Sequence, residues 1–220
     1  TNVRIFRDFP DVYSKAFAEQ AQDFARSQLG GLVGNPYLIG YFVNNEPEWK
    51  VPYINLAERV FAHPERLDSK TALIGWLKEE YGNIEAVNAR WGRSFKSFED
   101  MYLPIERLDA GTEEAGEDFA KLHALLVEKY ITVLKAALSS VDPEHLNLGM
   151  RYAGAGPREM AGGEHQDVFS FNHYSPSAAE ALEAAGAYMD VPVIIGEWHI
   201  GGEKSMLAHG IWFSHTQEER

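Results

Sequence analysis

A parallel α/β fold, its strands covered by helices, is what the sequence predicts, and three observations carry that prediction. Residues 37–43, YLIGYFV, form an apolar run bounded by Gly34, Asn35 and Pro36 and ended by Asn44, Asn45 and Glu46. Residues 191–198, VPVIIGEW, repeat the design, an apolar run broken by Gly196 and ended by Glu197. From residue 117 onward, helical patterns alternate with apolar runs of strand length. Strands apolar on both faces belong to parallel sheets sandwiched by helices, and the alternation implies right-handed crossovers. In such sheets the chemistry lies beyond the carboxyl ends of the strands, where both runs deliver a glutamate.

In residues 11–29, Val12, Phe17, Phe24 and Leu29 recur at helical intervals with alanines between them. Asp11 or Ser14 can cap this helix, and Gly30 and Gly31 end it. Residues 37–43 are the first strand. The connection after it is far longer than the few residues usual between a strand and a helix. Residues 47–116 are therefore expected to be an inserted lobe over the strand ends, with helices of its own at 69–81, striped by Leu73, Ile74 and Leu77, and at 83–91. The clearest helix is 117–140, where Phe119, Leu122, Leu126, Tyr130, Val133 and Leu134 form a face before VDPEH breaks it. LNLGMRYA and DVFSFNHYS are the next two strands, followed by an alanine-rich helix at 176–187 and the strand VPVIIGEW. There is no internal repeat and no low-complexity tract.

With 220 residues, 45% of them hydrophobic and 12% aromatic, the chain can bury a sizeable core as one domain, 1–220. Lys and Arg number 20 against 33 Asp and Glu, a net charge of −13. Such a field repels nucleic-acid backbones and anionic membranes, so neither is expected as a partner. The absence of cysteine excludes disulfides, thiolate catalysis and sulfur-ligated zinc. No run of about eighteen apolar residues offers a membrane span, and TNVRIFRDFP lacks the basic start and apolar middle of a signal peptide. A chain that starts at Thr1 is expected to be processed or to be an internal piece of a longer polypeptide.

Two carboxylates at the ends of two strands have a chemical use. Breaking a glycosidic bond takes one carboxylic acid to protonate the departing oxygen and one carboxylate to attack the anomeric carbon or activate water there. The two roles need different proton affinities, which aromatic burial and a nearby cation can set. Trp49 and Trp198 stand close to the two glutamates in sequence, and Arg151 can supply the cation.

On these residues the chain resembles the large clan of retaining glycoside hydrolases with (β/α)8 barrels. FVNNEP resembles the Asn-Glu-Pro signature ending the fourth barrel strand, and IIGEWHIG resembles the seventh, nucleophile-bearing strand. The resemblance implies Glu46 as acid/base, Glu197 as nucleophile and Asn45 as the residue holding a sugar 2-hydroxyl. GYFVNNE, YGNIEAVNARWGRSF, VFSFNHYSP and IIGEWHIGG are most similar to the β-agarases of glycoside hydrolase family 50 and, less closely, to the β-galactosidases of family 42. The fold expected is thus a (β/α)8 TIM barrel. A complete one needs eight strands in typically about 250 residues, whereas four are evident here. A partial barrel, strands four to seven, is expected, with open edges inviting self-association or a missing barrel segment. The expected substrate is a galactose-containing saccharide, agarose-like, cleaved with retention. The alternative is an inactive carbohydrate-binding or scaffold fragment. Compartment stays open, a secreted or periplasmic location being expected if the substrate is a polysaccharide.

Each remaining candidate has a plainer reading beside the functional one. Asn45 as a sugar ligand competes with an Asx turn, and Asn44 is expected to be structural. The resemblance sets His173 and Tyr174 at the end of the sixth barrel strand and so implies Tyr174 as the partner of Glu197 and His173 as a sugar contact, against packing in a turn. Asn172 is a ligand or a strand cap. Arg151 either faces Glu197 or substrate, or pairs with a surface acid. Trp198 and His199 flank Glu197, so alternation points them away from it and second-layer packing competes with substrate contact. In the lobe, Trp49, Tyr53 and Phe95 offer ring faces for sugars, whereas Trp76 and Trp91, spaced helically from leucines, are expected in the core. His199, Glu203 and His209 are too irregularly spaced to suggest a metal, and the expected mechanism needs neither metal nor cofactor. GAGPREMAGG lacks a Gly-Lys-Ser/Thr ending and is expected to be a mobile loop bordering the cleft, and no serine occupies a nucleophile elbow.

Overall fold

The computed structural model of the chain describes residues 3–47, 54–105, 111–154, 161–202, 212–216 and 218–219. Two compact units emerge, one of residues 1–33 and 48–142, the other of residues 34–47 and 143–220.

The first unit is mostly helical. A short antiparallel pair, β1 (Arg4–Phe6) and β2 (Phe9–Pro10), precedes α1 (Lys15–Leu29), whose start is capped by the Ser14 hydroxyl accepting the Phe17 N–H. Then come α2 (Leu56–Ala62), α3 (Asp68–Tyr81), α4 (Ile84–Trp91) and the long α5 (Glu113–Val141), against which α1, α2 and α4 pack. Asparagine side chains open α2 and α4: Asn55 accepts from Ala57 and Glu58, and Asn83 from Ala86. Asp11, buried, accepts the Asp68 and Ser69 N–H groups at 2.8 Å and so supplies α3 with the cap its own Leu67 lacks. The core holds Phe9, Phe61, Leu122, Leu126 and Trp91, with Phe17 stacked on Tyr130 at 5.6 Å. One expectation fails: Phe24 is 67% exposed, because α1 turns Phe17 and the small Ala25 inward instead.

The second unit is a parallel α/β array. β3 (Gly40–Tyr41) pairs in parallel with β4 (Leu146–Asn147), and β5 (Phe169–Asn172) with β6 (Val193–Glu197). Backbone bonds carry the first pairing further, from Leu146 N to Ile39 O (3.1 Å) through Val43 N to Gly149 O (2.9 Å) and Glu46 N to Arg151 O (3.2 Å). A parallel bridge between Tyr152 and Phe171 joins the two pairs. Four neighbouring segments therefore run in the order 39–46, 146–152, 169–172 and 193–197. Helix α6 (Ala179–Tyr188) connects the last two and packs on β6, and a short parallel pair, β7 (Ile200–Gly202) and β8 (Trp212–Ser214), follows.

The outer strands are not buried on both faces as expected. Tyr37 and Ile39 are 95% and 74% exposed and Ile194 is 42% exposed. The sheet does not close among the described residues, so the first and last segments lack the cover a complete barrel gives. Only the middle of the array, Met150, Tyr152, Phe169 and Phe171, is fully enclosed.

Candidate active site

Every residue of the site belongs to the second unit. Glu46 stands at the tip of the first segment, Arg151 at the tip of the second, Asn172 at the end of β5 with His173 and Tyr174 just beyond, and Glu197 at the end of β6. Parallel strands end on one side, so their tips bring together residues remote in sequence.

Asn172 is the centre of the arrangement. Its side chain is 3% exposed, and its Nδ2 donates to Glu46 Oε1 at 2.8 Å and to Glu197 Oε2 at 3.4 Å. The Tyr174 hydroxyl donates to Glu197 Oε1, and Arg151 Nη1 lies 3.7 Å from Glu197 Oε2. The bond to Glu197, with burial and the charges of both glutamates adding to it, pushes the Tyr174 hydroxyl up from 10.0 to about 12, against a lowering by Arg151. Tyr174 therefore remains a donor throughout the neutral range.

Two backbone features aim these groups. The β5–β6 register shifts after Phe171: Phe171 lies opposite Ile195, but Asn172 lies opposite Glu197. Gly196 is the extra residue of this bulge, a common device for re-aiming a side chain at a site. A Cβ on Gly196 would meet Arg151 Cγ at 2.6 Å and Cδ at 2.7 Å, so glycine is what lets Arg151 cross the strand toward Glu197. Glu46 and Arg151 adopt positive φ, 46° and 43°, and are bonded to each other through the backbone. Non-glycine residues in that region are uncommon and cluster where function fixes them.

The other candidates fall around this centre. Asn45 is exposed, and its N–H donates to the Asn44 side chain at 2.7 Å, a local turn contact made by Asn44. His173 Nε2 lies 3.0 Å from the Ser177 carbonyl, and the His173 ring and Trp198 line one open cavity with Ser175 and Pro176. Trp198 is 63% exposed, pointing away from the core, while His199 Nδ1 is buried with no hydrogen-bond partner among the described residues. Trp49, Tyr53, Glu203, His209 and most of the GAGPREMAGG stretch lie outside the described residues. Trp91 is 1% exposed, its indole N–H donating to Asp118 at 2.8 Å, and Trp76 is half-buried. Sequence reasoning missed the roles of Gly196 and of Ser170, whose Oγ accepts the Arg151 N–H at 2.9 Å. The signal for Gly196 was present, a glycine interrupting an otherwise apolar strand.

Side chains gathered at the ends of neighbouring parallel strands are the arrangement of a barrel fold, and the chain's matches agree. Residues 7–191 match the glycoside hydrolase 42 family, beta-galactosidase, and the chain belongs to that family. Among individual relatives, beta-agarase B of Vibrio sp. (strain JT0107) is 31% identical over 201 residues, 84% of this chain and 21% of that protein. Beta-agarase A of the same source is also 31% identical, over 235 residues, 96% of this chain and 23% of that protein. A solved exo-beta-agarase superimposes with a TM-score of 0.85 at 26% identity, covering 100% of this chain and 31% of that one. A beta-galactosidase from Marinomonas ef1, at 20% identity and a TM-score of 0.53, covering 77% of this chain and 25% of that one, shares the fold. The chain thus spans about a fifth of the length of the curated relatives it matches. Its fold is part of a (β/α)8 barrel, as the sequence predicts.

Proposed function

We propose that this chain carries the catalytic face of a retaining β-glycosidase acting on a galactose-containing, agarose-like saccharide, with Glu46 as acid/base and Glu197 as nucleophile. The spacing of the two carboxylates is the observation that carries this reading. One amide nitrogen reaches both, at 2.8 and 3.4 Å, so the two bonded oxygens cannot be further apart than those lengths laid end to end. That limit, about 6.2 Å, bounds the two bonded oxygens and so favours the closer, retaining spacing of carboxyl groups over the wider one of about 6.5–9.5 Å that inverting enzymes need for a water. With the two bonds at the roughly 120° between the N–H directions of an amide, those oxygens would stand about 5.4 Å apart, in keeping with the spacing of about 5–5.5 Å between the carboxyl groups of retaining enzymes.

The roles divide by surroundings. The Arg151 guanidinium and the Tyr174 hydroxyl converge on Glu197, which suits the group that attacks and later departs as a carboxylate. In the first step Glu197 attacks the anomeric carbon while Glu46 gives its proton to the glycosidic oxygen, whose bond to that carbon breaks. A glycosyl ester on Glu197 results. In the second step Glu46, now a carboxylate, takes a proton from water; the water oxygen bonds the anomeric carbon and Glu197 leaves. Asn45, Trp49, His173, Trp198 and His199 surround the pair in sequence and are the proposed sugar contacts. Galactose enters this reading from the relatives' names, beta-agarase and beta-galactosidase.

The test is hydrolysis of agarose oligosaccharides and of aryl β-galactosides by the chain and by Glu46→Gln and Glu197→Gln. Glu197→Gln should abolish turnover, and Glu46→Gln should lose most with poor leaving groups. Full turnover by Glu197→Gln would end the assignment. Sugar binding by a folded chain without turnover would favour a binding fragment, since an error of about 1 Å in the missing supports can cost roughly a hundredfold in rate.

A further inference from the structure

Asn172 entered the sequence reading as a ligand or a strand cap, and neither describes what its side chain does. It is almost wholly buried, so a sugar hydroxyl has little access to it. Its amide spends both N–H directions on the two carboxylates, one 126 positions and the other 25 positions away in the chain. The orientation of the amide follows from the donors it supplies: turned over, its oxygen would face the Glu197 carboxylate, which offers no proton, and the donor shared by both glutamates would be lost. The remaining Oδ1 is buried with no partner among the described residues, so the amide accepts the cost of an unsatisfied oxygen to keep both donors on the glutamates.

We propose that Asn172 is a positioning residue shared by Glu46 and Glu197, its single nitrogen setting the distance between the acid/base and the nucleophile. The proposal rests on the glycosidase reading for its catalytic consequence, although the bridging itself does not. Three further features hold Asn172 in place. Its N–H donates to Tyr152 O at 2.6 Å, the β5–β6 register shift sets it opposite Glu197, and β5 around it is buried at every position. A bridge anchored on β5 ties the tips of the first and last segments together, since Glu46 comes from the one and Glu197 from the other. A change in Asn172 should therefore disturb both glutamates together, which neither a sugar ligand nor a cap would do.

The test titrates the carboxyl carbons of Glu46 and Glu197 by NMR in the whole chain and in Asn172→Leu, which keeps the volume and removes the donors. Among the described residues, the other groups facing the pair are Arg151 and Tyr174, unchanged in both proteins. Loss of a shared donor should move both midpoints together, upward. Unchanged midpoints in a folded variant, or a rise at only one glutamate, would overturn the shared role. Asn172→Asp, isosteric, covers the case in which the leucine does not fold: a third carboxylate between the two should raise both midpoints further, and no change would again overturn the proposal. In turnover of aryl β-galactosides, Asn172→Leu should lower kcat about a hundredfold with KM within about twofold. A change confined to KM would instead make Asn172 a substrate ligand. These titrations stand whether or not the chain is a glycosidase; failure of that reading shows separately, as turnover that survives Glu197→Gln.

Discussion

Adding one methyl group at Gly196 tests how the site is built. The new Cβ would sit 2.6 Å from Arg151 Cγ and 2.7 Å from Cδ, whereas carbon atoms rest at about 3.5–4.0 Å, so the overlap is about 1 Å. Neither escape is free. Swinging the Arg151 side chain withdraws its guanidinium from Glu197, 3.7 Å away, and shifting β6 moves Glu197 itself. The Arg151 backbone cannot yield readily, being tied to Ser170 Oγ and to the Glu46 N–H. Overpacking of this kind costs about 1–3 kcal/mol, which for a chain of this size lowers Tm by about 3–10 °C. A displacement of about 1 Å at Glu197, the proposed nucleophile, should also cost roughly a hundredfold in kcat. Thermal unfolding and turnover of Gly196→Ala measure both effects. Combining it with Arg151→Ala, which removes the colliding Cγ and Cδ, should restore most of the Tm and leave the rate low. A Gly196→Ala protein within about 1 °C of the parent, or a loss undiminished in the Arg151→Ala background, would refute the collision.

Two predictions concern other groups. The folded chain holds the Tyr174 and Tyr81 hydroxyls at about 12, Tyr174 chiefly by its bond to Glu197 and Tyr81 chiefly by burial. Between pH 10 and 12 the unfolded chain gives up protons that the folded one keeps, so stability should fall as pH rises through that window. Urea midpoints across the window should fall less steeply for Tyr174→Phe than for the parent. Asp118, fully buried, accepts from the Tyr81 hydroxyl at 2.7 Å, Arg90 Nε at 3.0 Å and Trp91 Nε1 at 2.8 Å. Asp118→Ala strands all three donors and should cost about 3–5 kcal/mol in urea unfolding, with a smaller loss for Asp118→Asn, which keeps one acceptor.

What the sequence made legible follows from the reach of each signal. α3, α4 and α5 could be read because apolar residues recur at helical intervals, although α5 begins at Glu113 behind a Thr112 cap, ahead of the expected start at residue 117. Of the four parallel segments, the first and last could be read as continuous apolar runs, and the two between them as short apolar-rich stretches alternating with helical patterns. β1, β2, β7 and β8 were missed, being two or three residues long, too short for alternation to show. The seven-residue α2 was missed for the same reason. Phe24 misled because an alanine-rich helix can turn more than one face inward. In the site, Glu46, Glu197 and Arg151 are legible as polar residues at the ends of strand-like stretches, whereas Tyr174 enters through the family resemblance; Arg151 and Tyr174 both lie against Glu197. The bridge through Asn172 could not be read, because it depends on strand order and on a one-residue register shift, neither of which has a local signature.

The backbone at the two strand tips carries the same lesson into energetics. Asn44 and Asn45, which tolerate the left-handed region well, directly precede Glu46, yet it is Glu46 that takes φ 46°. Arg151, one strand over, does the same at 43°, and the Glu46 N–H bonds to the Arg151 carbonyl. Each such residue costs about 1–3 kcal/mol, and glycine would hold either turn at less cost. A chain selected for stability alone would place glycine there, as it does at Gly149, where φ is 81° and a Cβ would meet Ser170 Oγ at 2.8 Å. Strain retained at the two positions whose side chains converge on the carboxylate pair, and relieved at the neighbouring one whose side chain would have no room, follows the demands of the site. The two tips hold each other in that conformation through a backbone bond, and Asn172 and Arg151 then tie both to Glu197, so backbone strain, register shift and shared amide act as one support for the spacing of the two carboxylates.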